Sequence, residues 1–126
     1  MQKLGFNFKK GRIDKSLHPF CGGSTDDIRI TTRFDKENTF SCFDALMHET
    51  GHAIYEQGLP RKWIHQPVGT SGGMSLHESQ SLFVEMQLIK SLPGVKKITV
   101  LELNKKLVTY NGCLLYTSPS PRDATL

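Results

Sequence analysis

The sequence contains no apolar run long enough to cross a bilayer, no apolar leader segment near Met1 and no internal repeat. These absences argue against a membrane-spanning chain, and a cytoplasmic setting is expected. Cysteine is scarce, at three in 126 residues, and Cys21 and Cys42 have neither metal-ligand spacing nor the density of a disulfide scaffold. Aromatic residues are few, and none interleaves with the basic clusters Lys9, Lys10, Arg12, Lys15 and Lys96, Lys97, Lys105, Lys106. The formal net charge of +4 is therefore expected on solvated faces, with neither nucleic acid nor membrane as a partner. A chain of 126 residues has room for one modest core.

What the sequence does contain is His48-Glu49-Thr50-Gly51-His52, an HEXXH pattern. Side chains four apart on a helix lie on one face, so His48 and His52 can present two imidazole nitrogens to a single cation. Glu49 points about 100° away around the axis, beside an open coordination position rather than on the ion. Two neutral nitrogen ligands with a neighbouring carboxylate to take a proton from water point to a metal-dependent peptidase. Phe40, Phe43, Leu46, Met47, Ile54 and Tyr55 supply an apolar face, Asn38 or Thr39 can cap the start, and Gly58 with Pro60 marks the end. The pattern predicts a buried helix over Asn38–Gln57.

A catalytic zinc site usually takes a third protein ligand. Glu78, in Ser75-Leu76-His77-Glu78-Ser79-Gln80, follows a Gly- and Pro-rich loop over 58–73 and opens a second helix, expected over Leu76–Ser91, with Leu82, Phe83, Met86 and Ile89 as its apolar stripe. Ser75 and Glu78 also fit an S-x-x-E capping box, so the residues alone leave ligand and cap balanced. His77 reads as a rival ligand, a group behind the ligands or a substrate contact. Tyr55 and Gly58 exclude the metzincin extension, and Leu82 excludes the thermolysin-type acidic residue after the glutamate ligand. Farther upstream, Ile28, Ile30 and Thr32 alternate with Asp27, Arg29, Thr31 and Arg33, predicting a short strand or hairpin with one polar face. Residues 1–22 read as a polar lead into a loop, with helix as one reading of it, and Val95–Tyr110 reads as either strand or helix.

Four pieces occur in order: His18-Pro19-Phe20, Asp27-Ile28-Arg29-Ile30-Thr31, His48 to His52, and His77-Glu78-Ser79-Gln80. They resemble the HPF, DXRXT, HEXXH and HES/GQ motifs of the carboxypeptidase Taq family, over about Met1 to Leu92. The resemblance implies a mainly α, zincin-like core segment with an HEXXH helix and a second ligand-bearing helix. It implies a metallocarboxypeptidase that releases single C-terminal residues from peptides with broad tolerance, using Zn2+ or a similar ion such as Co2+, one per site, in a homodimer. It makes His48, His52 and Glu78 the metal ligands and Glu49 the general base. Arg29 and His77 are weaker candidates for substrate binding, and for Arg29 the strand alternation favours a structural or groove-lining role.

Family members are several times longer, and their later IRXXAD and GXXQDXHW motifs do not occur here. Residues 1–112 are accordingly expected to be a fragment of a catalytic domain, with aggregation-prone apolar stripes. Residues 113–126 begin Cys113-Leu114-Leu115-Tyr116-Thr117-Ser118, which resembles a translated transposase-type sequencing adapter rather than native sequence. The alternatives are an HEXXH endopeptidase, or a truncated metal-binding polypeptide without turnover.

Overall fold

A computed structural model describes residues 1–35, 37–91 and 93. The expectations for Val95–Tyr110 and for the tail from Cys113 lie outside the described residues. Met1–Glu85 forms one compact unit. Within it, three strands, β1 (Gly11–Lys15), β2 (Phe20–Ser24) and β3 (Asp27–Thr32), make one sheet in the order β1-β3-β2. Two helices follow, α1 (Thr39–Gln57) and α2 (Met74–Leu82), and α2 runs on as a π-helix over Phe83–Ile89. No helix among the described residues is long and apolar enough to cross a membrane.

The alternation in β3 dictates its place at the centre of the sheet. Ile28, Ile30 and Thr32 are buried, while Asp27 and Arg29 face solvent. Strand β2 pairs antiparallel with it, Cys21 opposite Ile30, and β1 pairs parallel with it, Ile13 opposite Ile30. Thr31 of the DXRXT motif donates its hydroxyl to the His18 carbonyl of the HPF motif at 3.0 Å, so two of the four sequence motifs meet in this sheet. Phe6, Ile28, Ile30 and Ala53 form the core, with Ile13, Cys21, Leu46 and Ile54 packed against it. Complete burial of each isoleucine is worth about 1.5–3 kcal/mol, which fixes α1 on the sheet.

The strands correct the expected helical lead over residues 1–22. Only two short 3-10 turns, Gln2–Leu4 and Phe8–Lys10, precede β1. Neither β1 nor β2 carries a strong strand signal of its own, since β1 is short and polar and β2 contains Gly22 and Gly23. Their stability comes from pairing with β3, which no local window contains. Gly23, within β2 just before the turn into β3, has φ +113°, and an added Cβ there would overlap the Asp27 carbonyl oxygen.

Helix α1 begins at Asn38, whose side chain accepts a hydrogen bond from the Ser41 amide at 3.1 Å. Its far end is clasped to the N-terminal turns through Gln57, which accepts from the Asn7 amide at 2.9 Å and donates to the Asn7 and Lys10 carbonyls at 3.1 and 3.2 Å. The sheet lies against one side of α1 and α2 against another.

Helix α2 departs from expectation in its start and its orientation. It opens two residues early, with Gly73 as N-cap and no side-chain cap, so Ser75 and Glu78 form no capping box. Of the expected apolar stripe, Leu82 and Phe83 are exposed and Met86 and Ile89 half-buried, and Leu76 and Leu88 are exposed as well, whereas Ser81 and Val84 are buried. The polar stripe of α2 faces α1. Gly51 permits this, because a Cβ there would lie 2.5 Å from Ser81 Cα and 2.7 Å from the Gln80 carbonyl oxygen.

Two expectations follow. Gly51→Ala should cost about 1–3 kcal/mol of stability by forcing α2 outward, read as a lower urea midpoint at unchanged slope. Burial, reinforced by the nearby Glu49 and Glu56 carboxylates, pushes the half-buried Cys21 thiol up to about 12. The neutral thiol is thus favoured by folding, a contribution complete below the unfolded thiol's ordinary range and lost as pH rises toward 12. At pH 8, iodoacetamide should alkylate Cys21 about a thousandfold more slowly in the folded than in the urea-unfolded chain, resolved by mass spectrometry of the labelled peptide.

Candidate metal centre

The HEXXH segment occupies the third and fourth turns of α1, and its helical spacing stacks His48 and His52, with ring centroids 5.0 Å apart. Across from them, α2 presents Glu78. Its Oε1 lies 3.4 Å from His48 Nε2 and its Oε2 lies 3.2 Å from His52 Nε2. One donor atom from each of the three residues falls within 4.8 Å of the others. An ion bound about 2.0–2.1 Å from each of three tetrahedral donors holds those donors about 3.3–3.4 Å apart. The two nitrogen–oxygen separations are of that size but run to different oxygens of the one carboxylate, which faces both imidazoles; two imidazoles with one carboxylate are a donor set suited to a divalent cation.

The electrostatics agree with the geometry. Burial holds the imidazolium form of His52 below its ordinary range, helped by the neighbouring His77 and His48 and opposed by Glu78. A neutral imidazole is the form that ligates. Glu49 is buried beside His48, and its carboxyl is raised above the usual carboxylate range, chiefly by burial. His48 opposes that rise and Glu78 adds to it. Thr50, between Glu49 and Gly51, is completely buried and donates its hydroxyl to the Leu46 carbonyl at 2.6 Å, satisfying a polar group inside the helix.

His77 does not join the three-residue cluster. Its Nδ1 lies 2.5 Å from His52 Nδ1, its Nε2 lies 2.8 Å from Glu56 Oε1, and the Tyr55 ring meets it edge-on at 5.2 Å. On the other side, Glu85 Oε2 lies 2.7 Å from His48 Nδ1. Sequence reasoning missed Glu56 and Glu85. The signal was present as polar periodicity: Glu56 is four residues after His52, and Glu85 is seven after Glu78, on the same stripes as the residues of the cluster.

Arg29 stands on the solvent side of β3, where Nε and Nη2 donate to the two oxygens of Asp27 at 2.8 and 2.7 Å. His18 lines a cavity of about 330 Å³ with Pro19, Arg33, Asp35 and Asn38 near the start of α1. Neither residue enters the His48, His52 and Glu78 cluster.

Residues 1–103 match the family model described as carboxypeptidase Taq (M32) metallopeptidase. Carboxypeptidase 1 of Bacillus subtilis is 40% identical over 86 residues, covering 68% of this chain and 17% of that protein. Thermostable carboxypeptidase 1 of Thermus thermophilus is 38% identical over 93 residues, covering 73% and 18%. Among solved structures, Trypanosoma cruzi metallocarboxypeptidase 1 superposes with a TM-score of 0.75 at 34% identity, covering 95% of this chain and 26% of that one. A Pyrococcus furiosus carboxypeptidase gives 0.73 at 30% identity, covering 98% and 24%. The chain thus spans less than a fifth of these curated relatives and about a quarter of these solved chains. Matched over most of its length by the family model, and by relatives that are themselves named carboxypeptidases, this chain belongs to the carboxypeptidase Taq (M32) metallopeptidase family.

Proposed function

We propose that the chain carries the metal site of a metallocarboxypeptidase that hydrolyses C-terminal residues from peptides, with broad side-chain tolerance. The observation that carries this reading is the Glu78 carboxylate, delivered by α2 to within 3.2–3.4 Å of both histidine Nε2 atoms. His48, His52 and Glu78 are the ligands, and the donor set suits Zn2+, with Co2+ as a functional substitute. A divalent cation held there supplies a Lewis acid and brings the pKa of a water molecule toward neutrality.

The remaining work falls to the chain. Glu49 does not share a face with the ligands, so its carboxylate is free to accept the proton of the attacking water and return it to the leaving amine. Its raised affinity for a proton, caused by burial, brings it closer to the range in which both transfers are efficient near neutral pH. Burial of His52 keeps that imidazole neutral for ligation. Arg29, with its fork already engaged by Asp27, is assigned to supporting the sheet rather than to gripping the substrate's carboxylate. By analogy with the named carboxypeptidases, the substrates are peptides with a free C-terminus, and the resemblance carried by the four sequence motifs adds a homodimer as the working form.

In the full-length protein, Glu49→Gln should retain one metal ion per site and lose about 10²–10⁴-fold in kcat, measured by metal analysis alongside peptide hydrolysis. Full activity in that variant would remove the general-base assignment. Exopeptidase and endopeptidase chemistry separate on a blocked peptide. Hydrolysis should fall to background when the C-terminal carboxylate is replaced by an amide, and undiminished cleavage of the amide would identify an endopeptidase using the same site.

A further inference from the structure

Each histidine at the centre has two ring nitrogens, and the cluster uses only Nε2. Both Nδ1 atoms are taken, but by different partners. His48 Nδ1 meets the Glu85 carboxylate directly at 2.7 Å, in the π-helical turn that follows α2. His52 Nδ1 meets another imidazole, that of His77 at 2.5 Å, which in turn meets the Glu56 carboxylate at 2.8 Å. From this arrangement we infer that His77 is a positioning residue, which carries the orienting effect of Glu56 to His52, while Glu85 performs the same task for His48 without an intermediary. The inference rests on the proposed metal site.

The direction of the chain follows from its terminus. A carboxylate only accepts, so the Glu56 end requires the proton of His77 on Nε2. In the neutral His77 ring, Nδ1 then carries the lone pair and accepts from Nδ1–H of His52. That leaves the Nε2 lone pair of His52 directed toward the cluster, which is the tautomer a ligand needs. The opposite arrangement would turn a lone pair of His77 toward the Glu56 carboxylate, two acceptors at 2.8 Å. At His48 the same rule applies in one step, because Glu85 accepts from Nδ1–H and frees Nε2.

The two arms differ in what they ask of the fold. Glu85 reaches His48 from the π-helical turn after α2, so that arm spans two elements. Glu56 and His52 both lie on α1, and the α2 residue His77 is inserted between them, one position before the ligand Glu78. Adjacent residues of α2 thus serve the centre in different ways: Glu78 through the cluster, and His77 through the ring of His52. This placement also argues against His77 as a substrate contact, since both of its nitrogens are occupied.

The test is Zn2+ affinity of the intact protein, measured by competition with a chromogenic chelator, with far-UV circular dichroism as the check on folding. His77→Phe should weaken Zn2+ binding by about 10–100-fold. His77→Gln, whose side-chain oxygen can accept from His52, should recover part of that loss. Glu56→Gln, which keeps the size of the side chain, should weaken binding severalfold and serves where His77→Phe does not fold. Parental Zn2+ affinity in either His77→Phe or Glu56→Gln overturns the inference, and so does a raised KM at unchanged Zn2+ affinity in His77→Phe, the mark of a substrate contact. Failure of the metal-site reading looks different: His48→Ala would then also bind Zn2+ with parental affinity.

Discussion

The contact between Gly51 and Ser81 sets the geometry of everything around it. The two backbones come so close there that a single methyl group on Gly51 would overlap Ser81 Cα. His48 and His52 flank Gly51 on α1, at three residues before and one after. Glu78 and Glu85 flank Ser81 on the opposing segment, at three before and four after. The point of contact therefore determines the reach of each polar pair, since a helix that stood farther off would carry Glu78 and Glu85 away together. Small residues at a crossing allow approach below the usual interaxial distance of about 8–10 Å.

A polar helix interface is costly unless its groups find partners. Here the partnering is thorough: both nitrogens of His48, His52 and His77 lie near another polar atom, and the hydroxyls of Thr50 and Ser81 bond back to carbonyls of their own helices. The apolar anchoring comes from the other side of α1, where Ala53 meets Phe6, Ile28 and Ile30. The HEXXH helix thus has one side that fixes it to the sheet and another given over to chemistry. Helix α2 has no such division among the described residues, and its larger apolar side chains, Leu76, Leu82 and Phe83, face outward.

Local signals in the sequence were sound and non-local ones were silent. The histidine spacing, the Asn38 cap, the Gly58 stop and the alternation of β3 are each set within a few residues, and each was legible. The pairing of β1 and β2 was not, because Gly11 meets Ile28 across seventeen positions and the β2 segment is rich in glycine. The facing of α2 was misread for a different reason. Apolar periodicity is a guide to burial only where burial is driven by apolar contact, and α2 is turned by Glu78, His77 and Glu85 toward the histidines. A count of polar residues at helical spacing would have found Glu56 and Glu85. His77 could be placed near the centre by motif alone, whereas its role depends on which way the ring nitrogens point, which no motif encodes.

The clasp at Gln57 gives the N-terminal turns a mechanical part in the chemistry. A helix that ends in solvent can rotate and fray over its last turn, and the last turn of α1 is the one that carries Glu56. Gln57 is the next residue, and its amide is fixed at three points to the backbone of Asn7 and Lys10. Residues Asn7–Lys10 contain no catalytic group, yet they act as a torsional stop. They limit how far Glu56 can swing, and through His77 they limit how far the ring of His52 can turn.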